Sequence, residues 1–308
     1  LNPSELVYIA TAEDQGACLR NILASRFSFS QALLARLKFE YKIRVNGQWA
    51  RTSQKIAAGD VITVDVTLSE ENPLIPEALP LDILYEDADF LAVSKASGMA
   101  VHPSGAGGTG TLANAVTHYF NQSGSKALFR AVHRLDKDTS GLLLIAKNRF
   151  AQQGVCGQGL ANQVQKRYVA LVEGVIEEES GCIDLPIACP DPAQRRRQVH
   201  PGGQRAVTHF QVLERLPGHT LVSLRLETGR THQIRVHMSY LGHPLCGDLL
   251  YGRPSPWIGR MALHADEMAF LHPRTGKEIL IQSPLPKDFR EALRRLRQIP
   301  APPSSPNP

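Results

Sequence analysis

Leu142 to Ala146 (LLLIA) is an unbroken apolar run with Gly141 before it and Lys147 after it. Five residues are too few for a free-standing helix, so the run reads as a buried strand. A chain carrying such a strand must build a core around it. Directly upstream stands VHRLDKDTSG, which brings His133, Arg134 and Asp136 to the strand's entrance. These charged residues therefore lie on a loop anchored at the edge of a core, where catalytic groups tend to sit. The plainer alternative is a turn in which Asp136 and Thr139 bond their own backbone.

The chain has 308 residues, enough for a sizeable core and for more than one domain. No apolar run is long enough to cross a bilayer. The first stretch, LNPSELVYIATAEDQG, lacks a basic start and an apolar signal core. The expectation is a cytoplasmic protein, neither secreted nor inserted in a membrane. Five cysteines (Cys18, Cys156, Cys182, Cys189 and Cys246) show no CxxC spacing, which argues against a disulfide framework or a zinc site. His232 and His237 are five apart, a poor helical spacing for two ligands of one metal. Gly105 to Gly110 (GAGGTG) lacks the Lys-Ser/Thr of a phosphate loop and reads as a flexible loop able to face a ligand. No cofactor and no metal are expected.

Charge is unevenly placed. Between Gly16 and Lys55 stand Arg20, Arg26, Arg36, Lys38, Lys42, Arg44, Arg51 and Lys55, opposed only by Glu40, whereas the whole chain nets +5. Concentrated basicity points to a polyanion, most simply nucleic acid, with a solvated helical face as the plainer reading. Leu19, Ile22 and Leu23 recur at helical spacing, and Ser30 is placed to cap a second helix carrying Leu33, Leu34 and Leu37. Ile43 to Val45 leads into an Asn46-Gly47 hairpin turn, and Val61 to Val66 alternates apolar and polar residues. Residues 13–66 thus form a small basic α/β unit. Residues 67–80, with Pro73, Pro76, Pro80 and three glutamates, read as a stiff exposed linker. Residues 81–297 form a larger domain with candidate strands at Leu91–Val93, Leu142–Ala146, Tyr168–Val172, Val207–Leu213 and Leu221–Leu226. The expected class is α+β, a mixed, largely antiparallel sheet with flanking helices. Residues 298–308 are expected to be disordered, the ten after Gln298 being half proline.

Two further polar clusters are pinned to strands. One is Lys166-Arg167-Tyr168, opening YVALVEG. The other is ETGRTHQIRVHMSYLGHPLCGD, Glu227 to Asp248, where Thr231 is placed to cap a short helix ending near Gly242. Ile234, Met238 and Leu241 would form its buried face, with Arg235 projecting from it.

The three segments HRLDKDTSGLLLIAK, KRY with VALVEG, and TGRTHQIRVHM with LGHPLCGDLLYG resemble, in order, the signatures of the RluA-type RNA pseudouridine synthases. LYEDADFLAVSK, GMAVHPS, MALHA and SPLPKDF match as well. The basic unit is similar to the small RNA-binding module that many members share with a small-subunit ribosomal protein. One departure is Ala96, where a proline commonly follows the lysine. Another is the glycine-rich stretch GVCGQGLANQ before Lys166, which predicts a short or frayed helix.

The resemblance implies isomerisation of uridine in RNA to pseudouridine without a cofactor; the accessory basic module favours ribosomal RNA over transfer RNA, and a monomer is the expected assembly, with oligomeric state left open. It puts the essential aspartate at Asp136, its arginine partner at Arg235 and the active-site tyrosine at Tyr168. Arg134 would fill the space left by a flipped nucleotide, with His133 structural or a phosphate contact. Flipping is required because C1′ and the uracil face are inaccessible in a stacked helix. Arg20, Arg36, Lys38 and Arg44 are the expected RNA contacts of the basic unit, and Arg195-Arg196-Arg197 could grip phosphates. Two rivals stand beside this reading. An RNA or nucleoside glycosidase would also place an aspartate near C1′ but needs a second acid. A silent RNA-binding factor would need none of Asp136, Tyr168 and Arg235.

Overall fold

The computed structural model describes residues 5–68, 72–105, 107–156, 164–191 and 196–300. The first elements are β1 (Glu5–Ile9), α1 (Leu19–Phe27), α2 (Gln31–Phe39), β2 (Ile43–Val45), β3 (Gln48–Trp49) and β4 (Val61–Asp65). The strands form a sheet in the order β1-β4-β2-β3. Leu19, Ile22, Leu23, Leu33 and Leu37 of the helices pack on Ile43, Val45, Ile62 and Val64 of the strands. The Ser30 hydroxyl accepts from the Leu33 amide at 3.2 Å, so α2 starts where the sequence placed its cap. Strand β1 lies ahead of residue 13, where the sequence reading began the unit, and pairs with β4 along its length. Its ELVYI pattern buries Leu6 while Val7 and Ile9 face outward, a half-buried strand that charge alone did not reveal.

The larger part contains β5 (Asp82–Glu86), β6 (Phe90–Lys95), α3 (Leu112–Gln122), β7 (Ser140–Ala146), α4 (Arg149–Cys156), β8 (Gln165–Glu173), β9 (Ser180–Asp184), β10 (Ile187–Ala188), β11 (Gln198–Val199), β12 (Val207–Leu216), β13 (His219–Leu226), α5 (Gln233–Tyr240), β14 (Leu263–Leu271), β15 (Glu278–Gln282) and α6 (Lys287–Arg297). Nine strands make one sheet, β5-β6-β7-β14-β8-β13-β12-β9, with β15 on β14; β10 and β11 pair separately. Strand β7 runs parallel to β14, and the other neighbours are antiparallel. This is the mixed, largely antiparallel α+β sheet expected.

Strand β7 explains the apolar run. Leu143 and Ile145 face a core shared with α3 and α5, while Leu142, Leu144 and Ala146 face one shared with α4. Helix α6 covers the same sheet through Phe289, Leu293 and Leu296. Both faces of β7 are thus covered, which removes the polar alternation of a half-exposed strand. Gly141 has φ +108°, and a Cβ there would stand 2.2 Å from the Ala265 carbonyl oxygen, so only glycine fits where β7 meets β14.

Three expectations need correction or bounding. The segment before β5 is not a free spacer: Leu74 packs on the main core, the Asn114 amide donates to the Ile75 carbonyl at 2.8 Å, and the Glu77 amide donates to the Asn114 carbonyl. Helix α3, through Asn114, uses its backbone as a hydrogen-bonding partner. Residues 69–71 of it lie outside the described residues, as do 157–163 of the glycine-rich stretch after α4 and 301–308 of the tail. Among the described residues no helix is long and apolar enough to cross a membrane.

Candidate active site

Asp136 sits on the loop entering β7. Leu135 anchors that loop in the main core, and the Thr139 amide donates to the Asp136 carbonyl at 3.1 Å. A turn is therefore present, closed by main-chain groups and not by the side-chain bonds of the plainer reading. The Asp136 side chain, however, points elsewhere: its Oδ2 lies 3.3 Å from Nη1 of Arg235. A second clasp holds the loop from behind. The Nζ of Lys95 donates to the carbonyls of Ala96, Met99 and Lys137 at 2.9, 2.8 and 2.9 Å. Lys95 is 1% exposed, and burial pushes its ammonium down to about 8 against the pull of Asp138 and Asp136. The contact is to the carbonyl of Ala96, so the missing proline does not remove it.

Arg235 projects from α5. Its Nε and Nη2 donate to Oδ2 and Oδ1 of Asp248 at 2.7 and 2.8 Å, a bidentate pair that leaves Nη1 for Asp136. Burial works against both charges, but the pair overrides it, raising the guanidinium and lowering the carboxyl from their usual ranges. Asp248 is further tied by the amides of Leu250 and Tyr251. The Tyr251 ring lies under the guanidinium, 5.0 Å from centroid to Cζ.

Helix α5 begins differently from the sequence reading. His232, not Thr231, is its N-cap residue, with φ 59° and no side-chain cap. Buried Gln233 closes this turn: its Oε1 accepts from the Arg230 amide and the Thr228 hydroxyl, and its Nε2 donates to the Val207 carbonyl. Ile234 and Met238 are buried as expected, but Leu241 lies past the last helical turn and is 40% exposed. The left-handed turn brings Nε2 of His232 to 3.8 Å from Oδ2 of Asp136. On the other side Nδ1 of His232 is 3.0 Å from the Tyr251 hydroxyl, which accepts from the Arg197 amide at 2.9 Å. The His232 ring is thus held between the Tyr251 hydroxyl at Nδ1 and the Asp136 carboxylate at Nε2.

Tyr168, on β8, completes the pocket. Arg134, Asp136, Thr139, Tyr168, His232 and Arg235 line it together. Tyr168 is buried, and its hydroxyl makes no hydrogen bond among the described residues. Burial raises its phenol well above the usual range, and the Asp136 charge adds to the shift. Arg134 is exposed at the rim, without a side-chain partner among the described residues.

The remaining sequence candidates lie elsewhere. His133 turns inward: Nε2 is 3.3 Å from the Leu142 carbonyl, and Nδ1 is buried with no partner. Burial pushes its ring down to about 3, helped by the Lys166 charge, so it is neutral and does not line the pocket. The Leu142 carbonyl contact fits the structural half of that expectation. Arg20, Lys38 and Arg44 are exposed on α1, α2 and β2, while Arg36 lies 3.8 Å from Glu40. Lys42 and Arg26 are engaged by Asp65 and Glu13, acids just outside the basic segment. Arg195 lies outside the described residues; the Arg196 guanidinium stands over the Tyr251 ring. The glycine-rich loop faces the segment before β5 instead of the pocket, with Gly110 donating to Glu77.

Sequence reasoning passed over Lys95, His232, Asp248 and Tyr251 as working residues. Asp248 had a signal: an acid after Gly247, whose φ of +75° and close approach to the Arg260 carbonyl admit no side chain.

Residues 89–240 match the family model described as RNA pseudouridylate synthase. The uncharacterized RNA pseudouridine synthase YlyB of Bacillus subtilis is 44% identical over 261 residues, 83% of this chain and 86% of that protein. The ribosomal large subunit pseudouridine synthase D of Yersinia pestis is 36% identical over 303 residues, 93% of each chain. Among solved structures, human RNA pseudouridylate synthase domain containing 4 superposes with a TM-score of 0.58 at 26% identity, covering 71% of this chain and 95% of that one. The chain belongs to the RNA pseudouridine synthase family and is an isomerase acting on RNA.

Proposed function

We propose that this enzyme isomerises a uridine of ribosomal RNA, with Asp136 as the reacting carboxylate, and that the target nucleotide is flipped out of its helix to reach it. The observation that carries the reading is the Asp248–Arg235–Asp136 chain of contacts facing Tyr168 across one pocket. In the reaction the N1–C1′ bond breaks, the uracil turns over, and C5 bonds to C1′. C5 loses its proton and N1 gains one, so nothing is added or removed overall. Arg235 and His232 both approach Oδ2 of Asp136, which leaves Oδ1 to meet the sugar. A carboxylate so placed suits either attack at C1′ or removal of the C2′ proton. Tyr168 offers its ring to the uracil face, and its neutral phenol acts as a hydrogen-bonding group near C5. Arg134, free at the rim, takes the space that the nucleotide leaves.

The preference for ribosomal RNA, and within it the large subunit, rests on the relative from Yersinia pestis. Exposed Arg20, Lys38 and Arg44 supply a phosphate-binding surface on the N-terminal unit, with Arg36 beside them. A monomer is the proposed assembly. The five cysteines are all free, as suits a reducing cytoplasm.

Asp136 is the single carboxylate lining the pocket among the described residues, which disfavours hydrolysis by paired acids. RNA carrying uridine tritiated at C5 tests the reading. The synthase releases tritium to water and leaves chain and base intact. Release of free uracil would identify a glycosidase, and release of neither tritium nor uracil would identify a binding factor.

A further inference from the structure

We propose that the outward face of the N-terminal sheet is a stacking platform for unpaired nucleotides of RNA, with Trp49 and Tyr41 as the base-stacking rings and Arg44 as the phosphate contact between them and the strands. The inference rests on the reading of this unit as the enzyme's RNA handle and specifies what kind of RNA it takes.

The register sets the face. Val7 pairs with Thr63, Thr63 with Arg44, and Arg44 with Trp49, so these four side chains form one row across the sheet. Their strand neighbours Leu6, Ile62, Val64, Ile43 and Val45 are buried on the opposite face. Ile9 and Val61 extend the outward row. Among the described residues no helix covers it: α1 and α2 pack on the buried side. The Tyr41 and Trp49 rings lie 5.5 Å apart at 51° to one another, 68% and 41% exposed. Neither ring is needed to fill the core.

Tyr41 also stands where a tyrosine is disfavoured. Its φ is 57°, and α2 ends with the Lys42 amide on the Leu37 carbonyl and the Tyr41 amide on the Lys38 carbonyl. That termination normally takes glycine or asparagine at this position. A large ring kept in a left-handed residue at the surface works against helix termination, which fits a ring retained for a ligand.

Charge selects the occupant. Arg44 makes no side-chain hydrogen bond or ion pair among the described residues. Two acids share this face, both away from the rings: Asp65 is paired with Lys42 at 2.6 Å, and Glu5 stands opposite Asp65 on β1, the edge strand farthest from Trp49. Eight basic residues against one acid between Gly16 and Lys55 favour a polyanion over a protein or an apolar partner. Rings beside an unpaired arginine suit splayed bases, because every base has a stacking face, while duplex RNA hides those faces.

The test is affinity for a fluorescently labelled, unpaired oligouridylate, compared with a duplex of the same length, across a salt series. Tyr41→Asn and Trp49→Leu should each weaken oligouridylate binding about tenfold with the salt slope unchanged and duplex binding unaffected. Arg44→Gln should reduce the salt slope by about 0.7. Tyr41→Asn should melt no lower than the parent, because asparagine suits the left-handed position, so its loss of binding cannot be misfolding. Oligouridylate affinity unchanged in both ring variants would overturn the proposal. So would equal losses for duplex, or ring-dependent binding to phosphatidylserine vesicles with oligouridylate binding intact. Tritium release measures the isomerase reading separately, so failure of either leaves the other readable.

Discussion

Asp248 grips the Arg235 guanidinium at two nitrogens, 2.7 and 2.8 Å, and so aims the third, Nη1, at Asp136 from 3.3 Å. A lone arginine has many rotamers, and its entropy would blur any such contact. The buried carboxylate removes that freedom before substrate arrives.

Asp248→Asn should therefore damage catalysis without touching substrate. The amide keeps one acceptor and loses the fork, so Arg235 drifts from Asp136. The expected loss is about 100-fold in kcat with KM little changed. Asp248→Ala should also destabilise the fold by about 3 kcal/mol, because it strands the buried guanidinium. Steady-state kinetics and thermal melting separate the two effects. Unchanged kcat in Asp248→Asn would mean that Arg235 is held by something else.

Lys95 sets an alkaline limit. Three carbonyls surround its Nζ, and only an ammonium has three hydrogens to give them. Its folded value of about 8 lies below the unfolded 10.5, so the unfolded chain binds more protons between these values. In that window this group makes stability rise with pH, while the clasp on the Asp136 loop loses a donor. Activity should fall above pH 8 with no matching loss of melting temperature. Lys95→Met should lower kcat and abolish that limb, at a cost of about 2 kcal/mol for carbonyls left without donors. A variant with the wild-type alkaline profile would assign the limb to another group.

Tyr168 separates ring from hydroxyl. Tyr168→Phe should retain RNA affinity and lose about 100-fold in turnover, whereas Tyr168→Leu should lose affinity as well. The raised phenol predicts that the wild-type rate does not climb with pH between 7 and 8. A tenfold rise per pH unit in that interval would instead reveal a phenolate base.

His133 gives a stability signature. Its ring falls to about 3 in the fold from an ordinary 6.5. Between these values the unfolded chain binds more protons, so stability is full above pH 6.5 and is lost as pH falls toward 3. His133→Gln, whose amide can still donate to the Leu142 carbonyl, should melt with a shallower acid dependence than the parent. An identical acid slope would mean that the ring is not buried neutral.

The sequence made the sheet legible where burial left a pattern: LLLIA could only be a covered strand, and the Ser30 cap and Asn46-Gly47 turn are local chemistry. Asp136 and Arg235 are 99 residues apart, and nothing local joins them. The resemblance brought them into one site before the geometry did. Asp248 and His232 were missed for the same reason, since a buried acid and a left-handed histidine acquire meaning only from the guanidinium and carboxylate that face them. Strand β1 was overlooked because five residues of alternation are weak evidence until β4 pairs with them. Thr231 was taken for a cap on composition, yet the helix opens one residue later at left-handed His232, and the Gln233 amide is satisfied by the Arg230 carbonyl.

The most direct measurement compares Asp136→Asn with the parent in tritium release from RNA labelled at uridine C5, alongside binding of the same RNA. Asp136 as the reacting carboxylate requires that release is abolished while affinity is preserved, because the amide keeps the shape of the pocket and removes the charge. Normal tritium release by the asparagine variant would contradict it.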